Sequence, residues 1–561
     1  MARGCRGSEL ERGTVIETDI LVIGASASGV CAALQAARMG RRVVLVEPTE
    51  WVGGMLTAAG VSAIDGNHAL PAGIWGEFQA AVREYYGGAE AVATGWVSKT
   101  LFDPRVGQHI LRGWISALPE IRLELGRRCT AVHTESDRVI GASFSDTPLS
   151  GGGPDAGLEV RAGITIMADE YGDSVAAAGI PWRVGLESRA ETGEPEAPET
   201  ALAHPQDFTW VATVLAPQSG FADGRGGPTF PAGDEYHGIL DAADGSWDRF
   251  FDYGRLPGDL VMLNWPTQDA FGDYLDHRTR ETVLQQGRYR TARLVRALVE
   301  HYGRSVIRTP EIYPTGTLAL IPYLREARRA YTAATLTTVD LAHPQRSSAL
   351  RTSIAVGDYP LDHHRSRDPD APSLEFPAVN AFGVPFGVLV PRDVDGVFVA
   401  EKSIGVSGLA NGCTRLQPVV MQIGQAAGAA AALCLDKGFR PQTVPAQSVQ
   451  RAILAAGGYL VPACDTNPGE ETFAALQWAA SAGYLALRYE SEGWANRGYL
   501  DPDTPVRRED ISAAERAFAQ APAEVRRRIG ELKGTKEPRP TRRQFAQTVY
   551  SASARRWPQA G

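Results

Sequence analysis

The sequence predicts an α/β fold organised around a parallel sheet, and three observations support this class. Residues 19–23 form a short apolar run, as in a strand that is buried on both faces. A glycine-rich turn then leads into Val30 to Met39, an Ala-rich helical stretch with no interior Gly or Pro. A second strand, Arg42 to Val46, ends on Glu47. Strand, turn, helix and strand in this order form one unit of a Rossmann-type fold.

The turn between the first strand and the helix has the sequence GASASG. A helix N-terminus offers unpaired N–H groups and a partial positive charge, so a pyrophosphate settles there if no side chain obstructs it. Gly24 allows the tight turn, Gly29 allows close packing, and Glu47 is placed to accept hydrogen bonds from ribose hydroxyls. Ser26 replaces the second glycine of G-x-G-x-x-G and adds a hydroxyl donor. The predicted dinucleotide-binding residues are Gly24, Ser26, Ala27, Ser28, Gly29 and Glu47; an ordinary loop between strand and helix is the alternative.

A glycine doublet follows the second strand, in Gly53-Gly54-Met55. NAD-binding proteins do not require a glycine doublet at this position. In FAD proteins of the glutathione-reductase type the chain passes close to the ribose and pyrophosphate at this point, which glycine permits. Gly53, Gly54 and Met55 are therefore predicted FAD contacts. The predicted fold is therefore a glutathione-reductase-like FAD-binding domain. We expect it to be built from two parts of the chain, residues 17–185 and 381–437.

The next elements extend the first part of this domain. The pattern predicts a helix ending at Tyr86, a helix over residues 104–116, a strand over 121–125, and a hairpin with strands at 129–134 and 138–144. In flavoproteins with two dinucleotide sites the backbone of this hairpin contacts the adenine. Cys129 is therefore assigned a main-chain role, with a reactive thiol as the alternative.

A further apolar strand, residues 163–168, precedes the turn ADEYGDS. Gly172 in this turn allows the backbone to approach the pyrophosphate from its other side. Gly172 and Asp173 are therefore predicted to contact FAD.

Residues 186–380 are predicted to form an inserted α+β substrate domain. Between residues 186 and 260, Pro, Gly, Asp, Glu and aromatic residues dominate, a composition that suits loops better than another Rossmann-type unit. Seven aromatic residues cluster in this domain: Trp247, Phe250, Phe251, Tyr253, Trp265, Phe271 and Tyr274. They can form a local hydrophobic core or the wall of an aromatic pocket.

The closing part of the FAD domain begins after residue 380. The pattern predicts strands over 384–390 and 396–400, a Gly/Ser/Asn loop over 401–415, and a long helix over 417–435. The N-terminal end of this helix is placed to point at the pyrimidine side of an isoalloxazine ring, where its dipole stabilises an anionic reduced flavin. Gly424, Gln425 and Ala427 of this helix are predicted cofactor contacts. Tight packing against the sheet accounts for its small residues equally well.

Composition excludes several classes of protein. The net charge of −9 argues against a nucleic-acid partner. Residues 1–16 are predicted to be a disordered leader without the apolar region of a signal peptide, and no apolar run indicates a membrane span. The six cysteines are scattered and form no C-x-x-C pair, so neither a metal site nor a disulfide framework is indicated. A reducing cytoplasm is the simplest location.

Segments spread over residues 17–437 resemble an FAD-dependent oxidoreductase family that is distantly related to fumarate reductase flavoproteins. The resemblance is carried by GASASG, VEPTEWVGGMLTAAGVSAIDG, ADEYGDS, VMLNWPTQDA, IPYLREARR, SIAVGDYPLDHH, VPFGVLVPRDVDGVFVAEKS and RLQPVVMQIGQAAG. It implies an FAD cofactor and a redox reaction. Members commonly have threonine where this chain has Tyr171, and Ala-Gly-Arg where it has Ala400-Glu401-Lys402. Glu401 is therefore predicted to lie beside FAD.

The resemblance at PLDHH, together with flavin chemistry, indicates the catalytic residues. Hydride transfer to flavin N5 requires a base for the proton that leaves the substrate. His363 and His364 are candidates, with His364 preferred and Asp362 as the group that orients one of them. Arg325 and Arg415 are candidates for holding a substrate carboxylate or carbonyl. The alternative for Arg325 is a surface ion pair with its neighbours.

Residues 438–561 are predicted to form a separate C-terminal helical domain, which resembles a single degenerate S-layer-homology repeat. It suits a helical appendage or a dimerisation element, so a homodimer is a possible assembly. The predicted function is an FAD-dependent dehydrogenase or reductase that transfers a hydride between flavin N5 and a small or medium organic substrate. A flavin hydroxylase and a non-catalytic surface or scaffold protein with a flavin fold are the alternatives.

Overall fold

The computed structural model describes residues 14–147, 157–217, 227–344, 347–364, 366–368, 371, 374–493, 495–520, 523–534 and 539–554. The strands are β1 (Thr14–Ile23), β2 (Val43–Glu47), β3 (Ile121–Leu125), β4 (Arg127–Glu135), β5 (Arg138–Asp146), β6 (Leu158–Met167), β7 (Trp182–Arg183), β8 (Ala212–Leu215), β9 (Leu260–Leu263), β10 (Arg329–Ala330), β11 (Ser353–Gly357), β12 (Phe382–Pro385), β13 (Val397–Val399), β14 (Arg488–Glu492) and β15 (Ala495–Tyr499). The helices are α1 (Ala27–Arg38), α2 (Gly73–Tyr86), α3 (Pro104–Ser116), α4 (Asp173–Ala177), α5 (Arg189–Thr192), α6 (Trp247–Tyr253), α7 (Arg280–Tyr302), α8 (Thr338–Ala342), α9 (Gly408–Thr414), α10 (Gln417–Lys437), α11 (Ala446–Ala455), α12 (Phe473–Ser481), α13 (Arg508–Ala517), α14 (Ala523–Gly534) and α15 (Arg542–Ala554).

A seven-stranded sheet forms the centre of the fold, in the order β3-β2-β1-β6-β5-β4, with β13 also paired to β6. Strands β1, β2, β3, β6 and β13 run parallel, and Val22 pairs with Leu45 on one side and with Ile166 on the other. Parallel strands end at the same edge of a sheet. The turns after β1, β2, β6 and β13 therefore meet at one edge. The predicted α/β class is confirmed.

Most elements of the first part follow the sequence pattern, and α3 and β3 have the predicted bounds. Strand β1 begins at Thr14, before the predicted start of the domain, because residues 14–18 pair with β6. The predicted leader otherwise falls outside the described residues.

Three predictions in later parts of the chain are wrong. Residues 384–390 are not one strand of the main sheet: β12 ends at Pro385, pairs with β11 in a separate sheet, and a 3-10 turn follows. The predicted loop over 401–415 contains α9, whose N-cap Ser407 accepts a hydrogen bond from the Ala410 N–H at 3.1 Å. The segment Gly493 to Arg508, whose sequence GWANRGYLDPDTPVRR predicts a loop, includes β15, which forms a hairpin with β14.

Helices α1 and α10 cross with their backbones in contact. A Cβ on Gly424 would lie 1.9 Å from the Ser28 carbonyl oxygen, and a Cβ on Gly428 would lie 2.2 Å from that of Ala32. Helix α10 also has the length and apolar composition of a membrane span, but 89% of its most apolar window is buried inside the protein. It is a central helix of the hydrophobic core.

The inserted region has a core of its own. Trp247, Phe250, Phe251 and Trp265 are buried together, and Phe250 stacks on Trp265 with ring centroids 5.1 Å apart. The local-core interpretation is confirmed for these four residues. Phe271 is instead exposed.

The C-terminal region packs α12, α13, α14 and α15 around a second core. Its hairpin touches the inserted region just after β11, because the Asn496 N–H donates to the Asp358 carbonyl oxygen at 2.7 Å. The resemblance to an S-layer repeat remains a prediction.

The crossing of α1 and α10 yields a stability prediction. Gly424→Ala should destabilise the protein by about 1–3 kcal/mol, because the added methyl group forces the helices apart. Gly113→Ala in α3 is the matched control: a Cβ there meets nothing within 4 Å, so alanine should stabilise the helix by about 0.5–1 kcal/mol. Urea unfolding measures both changes, and a Gly424→Ala protein as stable as the wild type would contradict the predicted contact.

Candidate functional site

The turn after β1 has the geometry of a dinucleotide-binding turn. Ser26 is the N-cap of α1, and its side chain accepts a hydrogen bond from the Gly29 N–H at 3.1 Å. Gly24 has φ +94°, and a Cβ there would meet the Ala168 carbonyl oxygen at 2.7 Å. A Cβ on Gly29 would lie 1.9 Å from the Gly24 carbonyl oxygen. Both glycines are therefore required by the approach of α1 to the sheet. Ala27 follows as the first residue of α1.

Glu47 ends β2 directly beside this turn. Its Oε2 accepts from the Ala25 N–H at 2.8 Å, and its Oε1 accepts from the Thr49 N–H and hydroxyl at 3.1 and 2.8 Å. Burial raises the pKa of Glu47 to about 7. The structure thus places Glu47 at the predicted position and orients it through the turn.

The glycine doublet lies against the same turn. The Gly53 N–H donates to the Ala25 carbonyl oxygen at 2.7 Å, and both Gly53 and Gly54 have positive φ. A Cβ on Gly54 would lie 2.1 Å from Glu170 Oε1 and 3.0 Å from Ser26 Cα. Met55 is buried next to them. The predicted residues of the turn and the doublet are therefore brought together.

The other predicted contacts on this side are Cys129, Gly172 and Asp173. Cys129 lies on β4, and burial raises the pKa of its thiol to about 12, so the thiol is protonated at neutral pH. Gly172 has φ +65° and precedes α4. The Asp173 carboxylate is paired with Arg280 and Arg328, each with an N–O distance of 2.6 Å. Asp173 thus anchors the inserted region to the turn after β6.

Gly424, Gln425 and Ala427 lie in the middle of α10 and not at its N-terminal end. Gln425 Oε1 accepts from the Ile74 N–H at 3.1 Å, and its Nε2 donates to Gln35 at 3.0 Å. The helix begins at Gln417, and Gly424 and Gln425 pack it against α1 and α2, as the packing alternative expects, whereas a contact of the three residues with the cofactor stays a prediction.

Glu401 occupies the N-terminus of α1. Its Oε2 accepts from the Ser28 N–H at 3.0 Å, and its own N–H donates to the Ser28 hydroxyl at 3.1 Å. Glu401 is fully buried and has φ +54°, a region where a non-glycine residue costs roughly 1–3 kcal/mol. The structure thus places Glu401 beside the other predicted FAD residues.

A buried ion cluster extends from Glu401. The Lys402 ammonium lies 3.0 Å from Glu401 Oε1 and 2.5 Å from Glu170 Oε2. Burial alone lowers the pKa of Lys402, but attraction to Glu170 and Glu401 outweighs it and the pKa is raised. Burial raises the pKa of Glu170. These three residues are called the Glu401 cluster below.

A cavity of about 480 Å³ lies within the inserted region, between residues 185–207 and the segment that carries His363 and His364. Leu186, Leu202, Leu374 and Phe376 supply apolar walls, and Arg325, His363 and His364 line it as well. Its volume suits a small or medium-sized organic molecule.

His364 is paired with Asp269 at this cavity. His364 Nδ1 lies 2.5 Å from Asp269 Oδ2, and 19% of the His364 side chain is exposed. Asp269 also accepts from the Thr209 hydroxyl at 2.5 Å and pairs with Arg325 at 3.1 Å. Burial raises the pKa of Asp269, but Arg325 and His364 outweigh it and hold the pKa below its usual value. Asp269 is therefore an anion that fixes the imidazole.

The predicted orienting role of Asp362 is corrected. Asp362 Oδ1 is 3.7 Å from His364 Nε2, and the carboxylate instead accepts from Arg415 at 2.8 Å. His363 Nε2 donates to the Leu409 carbonyl oxygen at 2.8 Å, and the ring stacks on Phe376. Burial lowers the pKa of His363 to about 4, so this ring is neutral at neutral pH.

The two predicted arginines are deeply buried and paired. Arg325 donates to the Asp207 carbonyl oxygen at 2.9 Å and to Thr209 at 3.0 Å, besides its ion pair with Asp269. Arg415 donates to the Tyr323 hydroxyl at 2.5 Å besides its ion pair with Asp362. The alternative of surface ion pairs around Arg325 is wrong, because its neighbours Glu326 and Arg329 are buried too.

Two acidic residues of this region, Asp269 and Asp65, are not among the candidates predicted from the sequence. Asp269 lies in the segment VMLNWPTQDA, but nothing in its sequence spacing connects it with His364. Asp65 lies near Asp362 and Arg415, and its Oδ1 is buried without a hydrogen-bond partner among the described residues. Burial, with the charge of Asp362, raises the pKa of Asp65 to about 8. Asp65 is therefore a neutral carboxylic acid at neutral pH.

A parallel sheet that carries a dinucleotide-binding turn of this geometry defines a nucleotide-binding protein of the Rossmann type. The family model for FAD dependent oxidoreductases matches residues 19–453, and the protein belongs to this family. FAD is the cofactor of the family.

Solved structures give weaker resemblances. A geranylgeranyl bacteriochlorophyll reductase-like protein from Thermoplasma acidophilum has 11% identity and a TM-score of 0.35, covering 97% of this chain and 98% of its own. The OxyS anhydrotetracycline hydroxylase from Streptomyces rimosus has 14% identity and a TM-score of 0.33, covering 97% and 78%. A variant of the quinol fumarate reductase FrdA from E. coli has 12% identity and a TM-score of 0.31, covering 96% and 86%. No curated protein matches the sequence.

The residues fit one half of FAD better than the other. Glu47, Gly24 and Gly29 suit the adenosine end, because Glu47 stands beside the tight turn at the end of β2. The diphosphate end does not fit in this structure. Glu401 takes the Ser28 N–H, and the Glu170 carboxylate fills the space beside Gly54.

The raised pKa of Asp65 predicts a pH-dependent stability. The folded protein keeps a proton on Asp65 up to about pH 8, whereas an unfolded aspartate loses it near pH 4, so Asp65 lowers stability as pH rises between these values. Asp65→Asn removes this effect. Relative to the wild type, the variant should gain roughly 1–4 kcal/mol of stability between pH 5 and pH 8, at up to about 1.4 kcal/mol per pH unit.

Urea unfolding at the two pH values measures the gain. Asp393→Asn, at an exposed position, is the control and should show none. A gain for Asp65→Asn that does not depend on pH would contradict the assignment.

Proposed function

We propose that this protein is an FAD-dependent dehydrogenase or reductase that acts on a small or medium-sized uncharged organic molecule, with His364 as the acid–base group. The contact between His364 Nδ1 and Asp269 Oδ2 at 2.5 Å carries this proposal. FAD, when bound, supplies the two-electron acceptor or donor of the reaction.

The Asp269 contact determines which nitrogen of His364 handles the proton. Since a carboxylate only accepts, Nδ1 is the donor, and Nε2 of the neutral ring is left with a lone pair. A proton taken up at Nε2 gives an imidazolium whose charge Asp269 balances. The same pair returns the proton in the reverse direction. A positioned histidine of this kind contributes typically 10²–10⁴-fold to a rate.

The charges around the cavity support an uncharged substrate. Among the described residues that line it, Arg325 carries the positive charge, which Asp269 balances at 3.1 Å, and the carboxyl groups of Asp207 and Asp368 give no binding site for an anion. Binding a substrate carboxylate to Arg325 would require breaking this buried pair, which is strongly unfavourable. A hydroxyl or carbonyl group on an apolar skeleton suits both the leucine and phenylalanine walls and the His364 imidazole.

His364→Ala tests the role of the imidazole. The wild type, supplied with excess FAD and fractionated metabolites, should convert one compound to a product that differs by two hydrogens in mass spectrometry. His364→Ala should convert it about 10²–10⁴-fold more slowly, because the proton then has no acceptor. His277→Ala is the control, since the His277 side chain is 86% exposed and lies outside the cavity.

The Asp269→Asn variant separates positioning from structure. It should lower kcat more than it raises KM and should shift the pH dependence of kcat, because the anion that balances the imidazolium is lost.

Equal turnover by His364→Ala and the wild type would remove His364 from the mechanism.

A further inference from the structure

We propose that the Glu401 carboxylate is an internal competitor for the FAD diphosphate, so that FAD binds this protein only by displacing the Glu401 cluster. The inference rests on the family assignment and is independent of the role of His364. It concerns a residue of this chain that stands where the cofactor's anionic centre is expected.

Two hydrogen-bond donors at the start of α1 are already occupied by protein side chains. A diphosphate at a helix N-terminus binds through the N–H groups of its first residues. Here the Ser28 N–H is taken by Glu401 Oε2 at 3.0 Å, and the Gly29 N–H is taken by the Ser26 hydroxyl at 3.1 Å. The Glu401 carboxylate is thus an anion already bound at the phosphate position.

The space beside the glycine doublet is occupied by the Glu170 side chain. The glycine doublet would let a cofactor approach the chain, but Glu170 Oε1 lies 2.1 Å from the position that a Cβ on Gly54 would take. Ser26, Ser28 and Glu401 are buried. The opening between turn and doublet is therefore filled by protein side chains.

The Glu401 cluster holds two carboxyl groups and one ammonium group. Lys402 is the cation of the cluster, and both of its carboxylate partners lie within 3.0 Å. A diphosphate that entered with the cluster intact would bring further negative charge to within contact of two buried carboxyl groups. Like charges in a buried site repel strongly, so the two anions exclude each other.

The backbone of Glu401 has a conformation that is unusual for this residue type. Six non-glycine residues of the described chain have positive φ, and the other five are Asn67, Ser136, Asp244, Asp259 and Asp501. Those five are short polar residues, of which Asn and Asp enter this region most readily. Glu401 has a longer side chain and is held there by contacts to Ser28 and Lys402. An unfavourable conformation that its surroundings enforce points to a function.

Titration with FAD, followed by quenching of flavin fluorescence, tests the proposal. Glu401→Gly should bind FAD at least tenfold more tightly than the wild type, because the competing anion is removed and glycine accepts the positive φ. Glu401→Gln keeps the size of the side chain but not its charge, and its affinity should lie between the two. Asp259→Gly is the matched control: it also removes a carboxylate at positive φ, from an exposed loop, and should leave the affinity unchanged.

Circular dichroism and thermal melting of the FAD-free proteins establish that each variant is folded. If Glu401→Gly does not fold, the comparison of Glu401→Gln with the wild type decides. Variants that bind FAD no more tightly than the wild type would overturn the proposal. Because the readout is affinity, its failure leaves the test of His364 unaffected.

Discussion

The close crossing of α1 and α10 at Ser28 is the contact on which the rest of the structure depends. The Ser28 carbonyl oxygen lies where a side chain on Gly424 would have to go, while its N–H and hydroxyl both bind Glu401. Ser28, at the start of α1, is therefore in contact with both helix α10 and the turn after β13. The approach of α1 to the sheet requires glycine at positions 24 and 29 for the same reason.

Two charge networks lie at the candidate cofactor and substrate sites. Glu170, Lys402 and Glu401 form one at the edge of the sheet, and Arg325, Asp269 and His364 form the other at the cavity. Desolvation makes such networks costly, and removal of one member leaves an unbalanced buried charge. Each network is therefore most stable when intact. At the cavity this holds the His364 imidazole in the orientation that the proposed proton transfer requires, whereas at the sheet edge it holds the Glu401 carboxylate at the N-terminus of α1.

The sequence predicted the local units of the fold well. The β1-α1-β2 unit, α3 and β3 follow from apolar periodicity, turn chemistry and N-cap residues, which depend on neighbours in the chain. The prediction of a strand over residues 384–390 is wrong for two reasons. Its pairing partner, β11, is distant in sequence, and Pro385 lacks an N–H for continued pairing. Helix α9 was missed because its Gly- and Asn-containing sequence has the composition of a loop.

The candidate sites were predictable only in part. The turn at residues 24–29 and Glu47 carry a recognised spacing, and the structure brings them together. Asp269 lies 95 residues from His364, and Glu401 lies 373 residues from Ser28, so these contacts depend on the tertiary fold. The sequence marked Glu401 as unusual for its family. Only the structure places its carboxylate at the N-terminus of α1.

A crystal structure of the protein determined with FAD tests the central claim most directly, through the distance between Glu401 Oε2 and the Ser28 N–H. We expect FAD to lie with its diphosphate at Ser28 and the Glu401 carboxylate to have left this position, so that the distance from Glu401 Oε2 to the Ser28 N–H exceeds hydrogen-bonding range. FAD bound in the site with the Glu401–Ser28 hydrogen bond still intact would contradict it.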